Sequence, residues 1–421
     1  MVGARIRPAG QRPRGAGGAR GPVESVPATR PREGASIQLR RILAAGPIAA
    51  LLIAGTVLAV GCSGGGATAA AGPAVAVQDD HLALRDSDIE DRLERIEATG
   101  ATVTRVDFMW ADIAPRRPRD AADPADPAYR FDRADAIVRG LADRGITPIV
   151  AVYNPPGWAS GNAGPTRERP VNPAPPDAGA YGAFMGALAR RYSGRFRDAR
   201  GKRLPQVRHW EIWNEPNLSL YLAPQLDEAG EPVSPRVYAG LVRAAYPRIK
   251  KGGGSDTVVI VGSGGPRGRT GEAAIGAFDW LDALRRLDPP LDAYSQHIYP
   301  AAPPTVETPA KPSWSSVGEL LEELDRWRPG LDLYVTEAGY TTSPTPYRRE
   351  SVVSEEEQAE YLRDMFDLPQ VHDPRVRVIV WFNLQDNVNW PAGLLREDGS
   401  RKPSFDAFRE VAGRGGQRPL P

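Results

Sequence analysis

The stretch WEIWNEPN, Trp210–Asn217, ends an apolar run with a carboxamide, Asn214, and a carboxylate, Glu215. A second stretch, LYVTEAGY at Leu333–Tyr340, ends another short β-type run with Glu337, just before a glycine-containing loop. Short apolar runs of this kind are typical of strands that are buried on both faces of a parallel sheet. The two glutamates are therefore expected at the carboxyl ends of two strands that are far apart in the chain.

Residues 74–412 alternate such β-type runs with segments of helical periodicity, one helical segment after each run. Strict alternation indicates parallel strands joined by crossover helices. Eight units of this kind predict an α/β fold, the (β/α)8 TIM barrel, in which the carboxyl ends of all strands meet at one face. The predicted strands are residues 74–78, 103–108, 146–152, 207–213, 257–262, 293–297, 333–336 and 376–381.

An open, doubly wound sheet is the alternative arrangement for the same alternation. That fold would favour a glycine-rich first turn for a nucleotide, and no GxGxxG motif follows an early strand. The glycines at 252–254 precede a predicted strand instead, so we interpret them as a helix stop and loop. The closed barrel is the preferred prediction.

The composition excludes several classes of function. The chain of 421 residues carries 53 basic and 52 acidic side chains, which gives no reason to expect a nucleic-acid partner. Its four histidines lack metal-ligand spacing and HExxH is absent, so we do not expect a zinc hydrolase. The single cysteine, Cys62, excludes a disulfide within the chain.

The N-terminal segment reads as an export signal. Residues 1–41 are rich in arginine, and the uncharged apolar run Ile42–Val60 follows them. The small residues before Cys62 resemble the lipobox of bacterial lipoproteins, in which the cysteine is lipidated and becomes the mature N-terminus. An uncleaved signal anchor is the alternative, since the run is just long enough to span a bilayer. Either way, we expect export, with the protein on the outer face of the cell membrane or secreted.

Four regions follow from these patterns. A basic N-region and signal segment occupies residues 1–61, and a flexible Gly/Ala linker occupies residues 62–73. The barrel is expected over residues 74–412, and a disordered tail over residues 413–421.

Side-chain alternation along the strands predicts which groups face the barrel interior. Counting back from Glu215 puts Trp213 and Glu211 on the same side of the fourth strand. Counting back from Glu337 puts Val335 and Leu333 on the same side of the seventh strand. The opposite side of the fourth strand, with Trp210, is expected to pack against the helices. If both glutamates face the barrel mouth, they converge on one site, and a pair of carboxylates is what glycoside hydrolysis requires.

The two motifs together, WEIWNEPN and YVTEAGY, resemble glycoside hydrolase clan A, and most of all its families 39 and 5. The blocks 100–115 and 393–405 also resemble those families, so that the similarity covers essentially all of 74–412. The resemblance implies a retaining double displacement with Glu215 as general acid/base and Glu337 as nucleophile. Such a reaction requires no metal and no organic cofactor, so we expect neither. We expect Glu215 to have a raised pKa and Glu337 to stay ionised. Retention requires carboxyl groups about 5–5.5 Å apart, whereas inversion needs roughly 6.5–9.5 Å.

The same resemblance implies supporting roles for five other residues, all in the substrate-binding site. Asn214 would hydrogen-bond the sugar 2-hydroxyl, and Arg105 would hold the nucleophile ionised. Tyr299 would hydrogen-bond the nucleophile, and His297 would contact the substrate. Trp381, at the end of the eighth strand, would form the platform under the reacting sugar.

Structural alternatives stand beside these roles. Arg105 is equally explained as the buried partner of Glu211. His297 could be a satisfied core histidine. Trp158 and Trp390 could line subsites or could serve only packing.

The substrate class is expected to be a poly- or oligosaccharide, β-linked on the strength of the resemblance alone. Xylosides, glucans, mannans, uronides and a self-produced exopolysaccharide all remain open. The long loop Tyr153–Pro176 is expected to overhang the site and to influence endo or exo cleavage. The rival functions are a non-catalytic glycan-binding barrel on the cell surface and a structural lipoprotein. We expect a monomer.

Overall fold

The computed structural model describes residues 72–167, 169–300, 302–308, 311–345, 352–415 and 417–421. The predictions about the signal segment, Cys62 and nearly all of the linker lie outside these residues. Within them, eight strands pair in parallel, each with the next, and β1 pairs with β8 to close the barrel. The strands are β1 Ala74–Gln78, β2 Val103–Met109, β3 Thr147–Tyr153, β4 His209–Ile212, β5 Val258–Gly264, β6 Ala293–Ile298, β7 Asp332–Ala338 and β8 Val376–Phe382.

Helices surround the barrel, and the predicted alternation of strands and helices is confirmed. Eight of them follow the strands in turn, and three single-turn helices (α1, α3 and α5) lie in the loops. Nowhere in the described ranges is a helix both long enough and apolar enough to cross a bilayer. The helices are α1 Asp80–Ala83, α2 Ile89–Glu97, α3 Trp110–Ile113, α4 Asp132–Asp143, α5 Gly157–Ser160, α6 Ala178–Arg191, α7 Ser234–Gly253, α8 Ala277–Leu287, α9 Val317–Trp327, α10 Glu355–Asp367 and α11 Pro403–Ala412, with a 3-10 helix at Pro369–His372.

Closure of the barrel is direct, because β1 and β8 are paired along the whole of β1, from Ala74–Val378 to Gln78–Phe382. An open doubly wound sheet would leave these two strands apart. The prediction of a (β/α)8 barrel is therefore confirmed.

Two apolar layers hold the barrel together. The larger layer lies between the strands and the helices and contains residues of both, such as Trp210 and Leu188. The smaller layer comes from strand residues alone and fills the barrel interior, with Ile149, Ile260 and Tyr334 among its members. Strands buried on both faces need apolar side chains on both, which is why the β-type runs of this sequence are nearly continuous.

Local sequence signals set several helix ends. Ser354 and Glu357 form a reciprocal capping box at the start of α10, which satisfies two otherwise unpaired N–H groups. Asp88 accepts from two backbone N–H groups at the start of α2. Pro403 opens α11, where its missing N–H costs nothing.

The C-terminal residues differ from the predicted disordered tail. Gln417 forms a parallel bridge with Gly72, and its Oε1 accepts from the backbone N–H of Val75 at 3.2 Å. The backbone N–H of Arg418 donates to the Gly72 carbonyl at 2.9 Å. Leu420 packs against the apolar layer of the barrel interior. These few contacts join residues that are far apart in the chain, so the local sequence of 413–421 gives no sign of them.

Candidate active site

A cavity of about 1590 Å³ opens at the carboxyl ends of the strands, where a barrel of this kind carries its functional groups. Both Glu215 and Glu337 line it. Loops after β1, β3, β4, β5, β6 and β8 form its walls, and residues 162–164 and 169–174 of the long loop after β3 are part of them. The predicted position of that loop over the site is confirmed.

Glu215 reaches the cavity through an irregular turn, because β4 ends at Ile212. Trp213 and Glu215 both have positive φ, 70° and 40°, which is uncommon for residues other than glycine. The turn sends the Trp213 ring into the outer apolar layer, beside Tyr181. The prediction that Trp213 shares the inward side with Glu215 is therefore wrong, since simple alternation ends with the strand. Trp210 packs in the outer layer, as expected.

The end of β7 departs from alternation as well. Leu333 and Val335 belong to the outer layer and not to the interior, so their predicted inward orientation is wrong. Thr336 donates its hydroxyl to Glu211 inside the barrel at 2.7 Å, and yet the next residue, Glu337, also lines the cavity. The pairing of β7 with both neighbours shifts register near this point, which permits two successive inward side chains.

The two glutamates converge as the motifs predicted. One carboxylate oxygen of each lies within 4.8 Å of the other and of a ring nitrogen of His297. A retaining glycosidase holds its carboxyl groups about 5–5.5 Å apart, and an inverting one roughly 6.5–9.5 Å. The observed approach fits the shorter spacing.

Arg105 joins the site to the barrel interior. Its side chain is fully buried; Nε donates to Glu211 at 2.6 Å and Nη1 to Glu337 at 2.7 Å. Nη1 also reaches Gln78 at 2.7 Å, and Nη2 reaches Asn214 at 2.8 Å. Both sequence interpretations of Arg105 hold together, because one guanidinium serves Glu211 and Glu337. Arg105 does not line the cavity, so it acts through these partners and not on a ligand.

The charge on Glu337 is set by opposing influences. The pKa of Glu337 is raised overall, chiefly by burial and further by the charge of Glu215. The cations His297 and Arg105 lower the same pKa, as does the hydroxyl of Tyr299, which donates to Oε2 at 2.7 Å. Tyr299 lines the cavity and contacts the carboxylate as the resemblance implied.

His297 lies behind the carboxylates. Its Nδ1 is 3.1 Å from Glu215 and 3.3 Å from Glu337, and the ring is fully buried. Burial would lower the pKa of His297, but the carboxylates of Glu337 and Glu215 outweigh it and raise that pKa. The ring is therefore neither an ordinary core histidine nor in direct reach of a ligand. It links the two glutamates.

The prediction that Trp381 lies under the reacting sugar is wrong. Trp381 is fully buried in the outer layer, where Nε1 donates to the Ala392 carbonyl at 3.0 Å. Phe382, the next residue of β8, has the opposite orientation and lines the cavity together with Trp390. Trp158 does not line the cavity either; its Nε1 donates to the Ala114 carbonyl at 2.8 Å and its ring packs on the core. Its predicted role in substrate binding is not supported.

Sequence reasoning missed part of the cavity wall. Asp80, Asp107 and Tyr153 line the cavity with Gln78. A signal for Asp107 was present, because it lies two residues after Arg105 on the same strand and so shares its inward side. Nothing local distinguishes Asp80 from Asp79 beside it.

Glu215, His297 and Glu337 are also placed such that they could hold a metal ion. Both oxygens of Glu337 already accept hydrogen bonds, from Arg105 and from Tyr299. A guanidinium so close opposes a cation at this position. The arrangement matches a carboxylate pair better than a metal centre.

Solved structures with a similar fold include glycoside hydrolases. No model of a protein family matches the chain, and a search of curated proteins finds no relative. Among solved structures, a family 39 glycoside hydrolase from the gut symbiont Bacteroides cellulosilyticus is similar, with 24% identity, TM-score 0.54, and coverage of 82% of this chain and 64% of that one. A family 39 β-xylosidase from Caulobacter crescentus has 21% identity, TM-score 0.55, and coverage of 81% and 72%. A family 5 subfamily 18 enzyme from Streptomyces cattleya, solved with GlcNAc, has 16% identity, TM-score 0.54, and coverage of 83% of each chain.

These are members of the two families that the motifs resemble, so the resemblance is confirmed at the level of the fold. The chain spans about two thirds of the length of the Bacteroides protein, 64%. At these identities the similarity shows a shared barrel, and the chemistry has to be argued from the site.

Proposed function

We propose that this protein is a retaining O-glycosyl hydrolase that cleaves a β-linked glycan outside the cytoplasm. The observation that carries the proposal is the approach of Glu215 and Glu337, within 4.8 Å, in a cavity at the carboxyl face of the barrel. Two ordinary surface carboxylates would not share one buried histidine, and Glu337 would not also be held by a buried arginine and a tyrosine. The similarity of the fold to glycoside hydrolases supports the same reading.

The first chemical step uses both glutamates. The Glu337 carboxylate attacks the anomeric carbon while Glu215 gives its proton to the departing glycosidic oxygen. This breaks the bond between sugar and leaving group and forms a glycosyl ester on Glu337. In the second step Glu215, now ionised, takes a proton from water, and the water displaces Glu337 with overall retention.

The neighbours prepare these roles. Arg105 and Tyr299 hold the Glu337 carboxylate and favour its ionised form, which the attack requires. Asn214 lines the cavity, and its Oδ1 is engaged by Arg105, which leaves the amide Nδ2 for a sugar hydroxyl. His297 contacts Glu215 and Glu337 through one nitrogen. In the first step Glu215 gains a negative charge as Glu337 loses one, and both changes occur next to the same ring.

We also propose that the protein is exported and anchored by a lipid on Cys62. The support is the basic segment, apolar run and lipobox-like residues before that cysteine. The uncleaved signal anchor is the competing possibility. Both put the barrel on the outer side of the membrane, where polymeric glycans are found.

The proposed function is tested by alanine variants of the two glutamates, assayed on aryl β-glycosides with and without azide. Glu337→Ala should lose at least about 10³-fold in turnover, since no covalent intermediate can form. Azide should then restore part of the activity and yield a glycosyl azide of inverted configuration. Glu215→Ala with azide should yield the retained configuration, because Glu337 still attacks first. Product configuration is read by proton NMR.

Glu228→Ala is the matched control, because Glu228 is an exposed glutamate on the loop that also carries Glu215 and does not line the cavity. It should retain wild-type activity. Full activity in Glu337→Ala would refute the assignment. A wild-type protein that cleaves no glycoside but binds glycans would instead favour the non-catalytic glycan-binding barrel.

A further inference from the structure

Two carboxylates in the cavity have no part in the proposed mechanism. Asp107 lies near the end of β2, and Asp80 follows the end of β1. Both line the cavity with Glu215 and Glu337. Carboxylates in this position need an explanation, because burying a charged group is unfavourable and neither catalytic step uses these two.

Asp107 has one oxygen without a hydrogen-bond partner among the described residues. Its side chain is only 8% exposed. Oδ2 accepts from the Tyr153 hydroxyl at 3.0 Å and from Gln78 Nε2 at 3.2 Å, whereas Oδ1 is buried and has no hydrogen-bond partner among the described residues. The nearest cation to Oδ1 is Arg105 Nη1, at 3.4 Å. A buried acceptor without a hydrogen bond is rare in folded proteins and calls for an explanation.

Asp80 differs sharply from its neighbour Asp79. Asp79 is fully engaged by Arg92, at 2.6 and 2.8 Å, and serves the structure. Asp80 receives only long hydrogen bonds, from Gln78 at 3.3 Å and Asn387 at 3.4 Å, and no ion pair involves it among the described residues. Burial first, and then the charges of Asp107 and Glu337, raise the pKa of Asp80 well above its ordinary value.

The position of Asp107 identifies the subsite. The same Nη1 atom of Arg105 contacts Glu337 at 2.7 Å and Asp107 at 3.4 Å, so Asp107 lies beside the nucleophile. In a retaining reaction the nucleophile holds the glycone, the sugar that becomes bound to the enzyme, while the acid/base faces the leaving group. Asp107 and Asp80 therefore belong to the glycone side.

An aromatic surface adjoins this side of the cavity. Tyr299 and Trp390 meet edge to face with ring centroids 4.7 Å apart, and Phe382 lies 6.0 Å from Trp390. All three line the cavity. Asn387, which contacts Asp80, is on the same loop as Trp390. A sugar packed on these rings would present its hydroxyls at its edge, where carboxylates can accept them.

Among the described residues, the only ion pair that Asp80 or Asp107 forms is the one between Asp107 and Arg105, at 3.4 Å. Arg169 and Arg267 line the cavity from the loops after β3 and β5, and within the described part of the chain neither forms an ion pair with Asp80 or Asp107. The glycone side thus combines three carboxylates, Asp80, Asp107 and Glu337. The cations beside them are both shared with other carboxylates, Arg105 with Glu211 and His297 with Glu215. Such a field repels an anionic group.

We propose that Asp80 and Asp107 bind hydroxyls of the glycone and restrict the enzyme to glycones that carry no anionic group. This inference rests on the proposed function and narrows its substrate class, since uronides are excluded. Hydrogen bonds from hydroxyls to carboxylates are among the stronger polar contacts. A uronic acid would bring a further carboxylate against these two, and like charges brought together without a partner are strongly unfavourable.

The experiment compares kcat/KM for aryl β-glycosides with neutral glycones (glucoside, galactoside, mannoside and xyloside) and for the aryl β-glucuronide. The best neutral glycoside should exceed the glucuronide by at least about 100-fold, the scale expected from an unpaired charge. Asp80→Asn and Asp107→Asn should lower kcat/KM for the neutral glycoside by about 10- to 100-fold. They should lower it less for the glucuronide, so the selectivity ratio should fall at least about tenfold. A merely structural role would lower both substrates together.

Two further variants complete the design. Asp80→Glu keeps the charge, so it should preserve the exclusion of glucuronide even if turnover falls. Asp112→Asn is the matched control, because Asp112 lies at the same end of the barrel, pairs with Arg85 and does not line the cavity. Its selectivity ratio should equal that of the wild type. Circular dichroism and thermal melting confirm folding of each variant.

The outcomes separate this inference from the proposed function. The inference is supported if the wild type cleaves neutral glycosides and either asparagine variant lowers the ratio of kcat/KM for the neutral glycoside to that for the glucuronide. A glucuronide cleaved as well as the neutral glycosides overturns it and leaves the glycosidase intact. A ratio unchanged in both asparagine variants also overturns it, since selectivity then resides elsewhere. Failure to cleave any glycoside removes the proposed function and this inference with it.

Discussion

Glu337 shows how a buried carboxylate is kept usable as a nucleophile. Its environment raises its pKa through burial, and three neighbours oppose that increase with a charge or a hydrogen bond. Two of them, Arg105 and His297, are fully buried and have other partners. Removing a buried partner of an ion pair costs several kcal/mol, so variants of Arg105 would report mainly on folding. Tyr299 is the neighbour whose removal tests the chemistry most cleanly.

Tyr299→Phe should move the acid limb of the kcat/KM profile to higher pH. The hydroxyl lowers the pKa of Glu337, so its loss raises that pKa further. The attacking form is the ionised carboxylate, and it is then depleted at a pH where the wild type still works. Turnover at the optimum should also fall about tenfold, as for a lost hydrogen bond to a charged group.

The measurement is kcat/KM for the preferred aryl glycoside across the acid range. Tyr246→Phe is the control, because Tyr246 donates to Asp292 at 2.9 Å away from the cavity. Its profile should match that of the wild type. An acid limb that stays in place or moves to lower pH in Tyr299→Phe would contradict this account of Glu337.

The loops after the strands position the side chains that the strands themselves do not. Glu215 lies on the turn after β4, and its backbone N–H donates to the Ser263 carbonyl of β5 at 2.9 Å. Gly265, just after β5, comes so close that a Cβ there would lie 2.9 Å from Glu215 Oε1. Asn217 fixes this approach by hydrogen bonds to both the N–H and the carbonyl of Gly265. The close contact between these two loops defines where the Glu215 carboxylate lies.

Gly265→Ala should therefore reduce kcat/KM by about 10- to 100-fold with little loss of stability, because the added methyl displaces a side-chain carboxylate more readily than backbone. Gly271→Ala, on the same loop, is the control: a Cβ there meets nothing within 4 Å. Its activity should stay within about twofold of the wild type. Equal activities in the two variants would show that the position of Glu215 is not set by this contact.

The same loops explain which parts of the site were predictable. Glu215, Asn214 and Glu337 lie in the two quoted motifs, whereas Tyr299 was assigned from the family resemblance. The structure places all four in the cavity. Trp381 failed because a strand end is uncertain by one residue, and a shift of one residue reverses the side to which a side chain points. The register shifts beside β7 had no signal in the sequence at all.

For the whole molecule, the main constraint is closure of the barrel between its first and last strands. β1 has five residues and pairs with both β2 and β8. The residues after α11 return to the start of β1, where Gln417 contacts Val75 and Arg418 contacts Gly72. The two ends of the barrel domain thus support each other across the seam. A disordered tail would contribute nothing there.

Deletion of residues 417–421 should lower the free energy of unfolding by about 1–3 kcal/mol, from the loss of several hydrogen bonds and of the Leu420 contact. Urea denaturation followed by circular dichroism measures it. Arg414→Ala is the control, because its exposed pairs with Asp367 and Glu410 are worth little, under about 0.5 kcal/mol. If the deletion leaves the free energy of unfolding unchanged, the tail makes no stabilising contacts, as the prediction of a disordered tail would require.

Local pattern in this chain was enough to specify a barrel of eight alternating units and the two glutamates at strand ends, because period and composition are properties of short segments. The glycone side of the cavity could not be predicted from local pattern. Asp80, Asp107 and Phe382 come from three different strand ends and meet only after the barrel closes. Their convergence depends on strand register and on backbone turns such as that at Trp213, which arise from non-local packing.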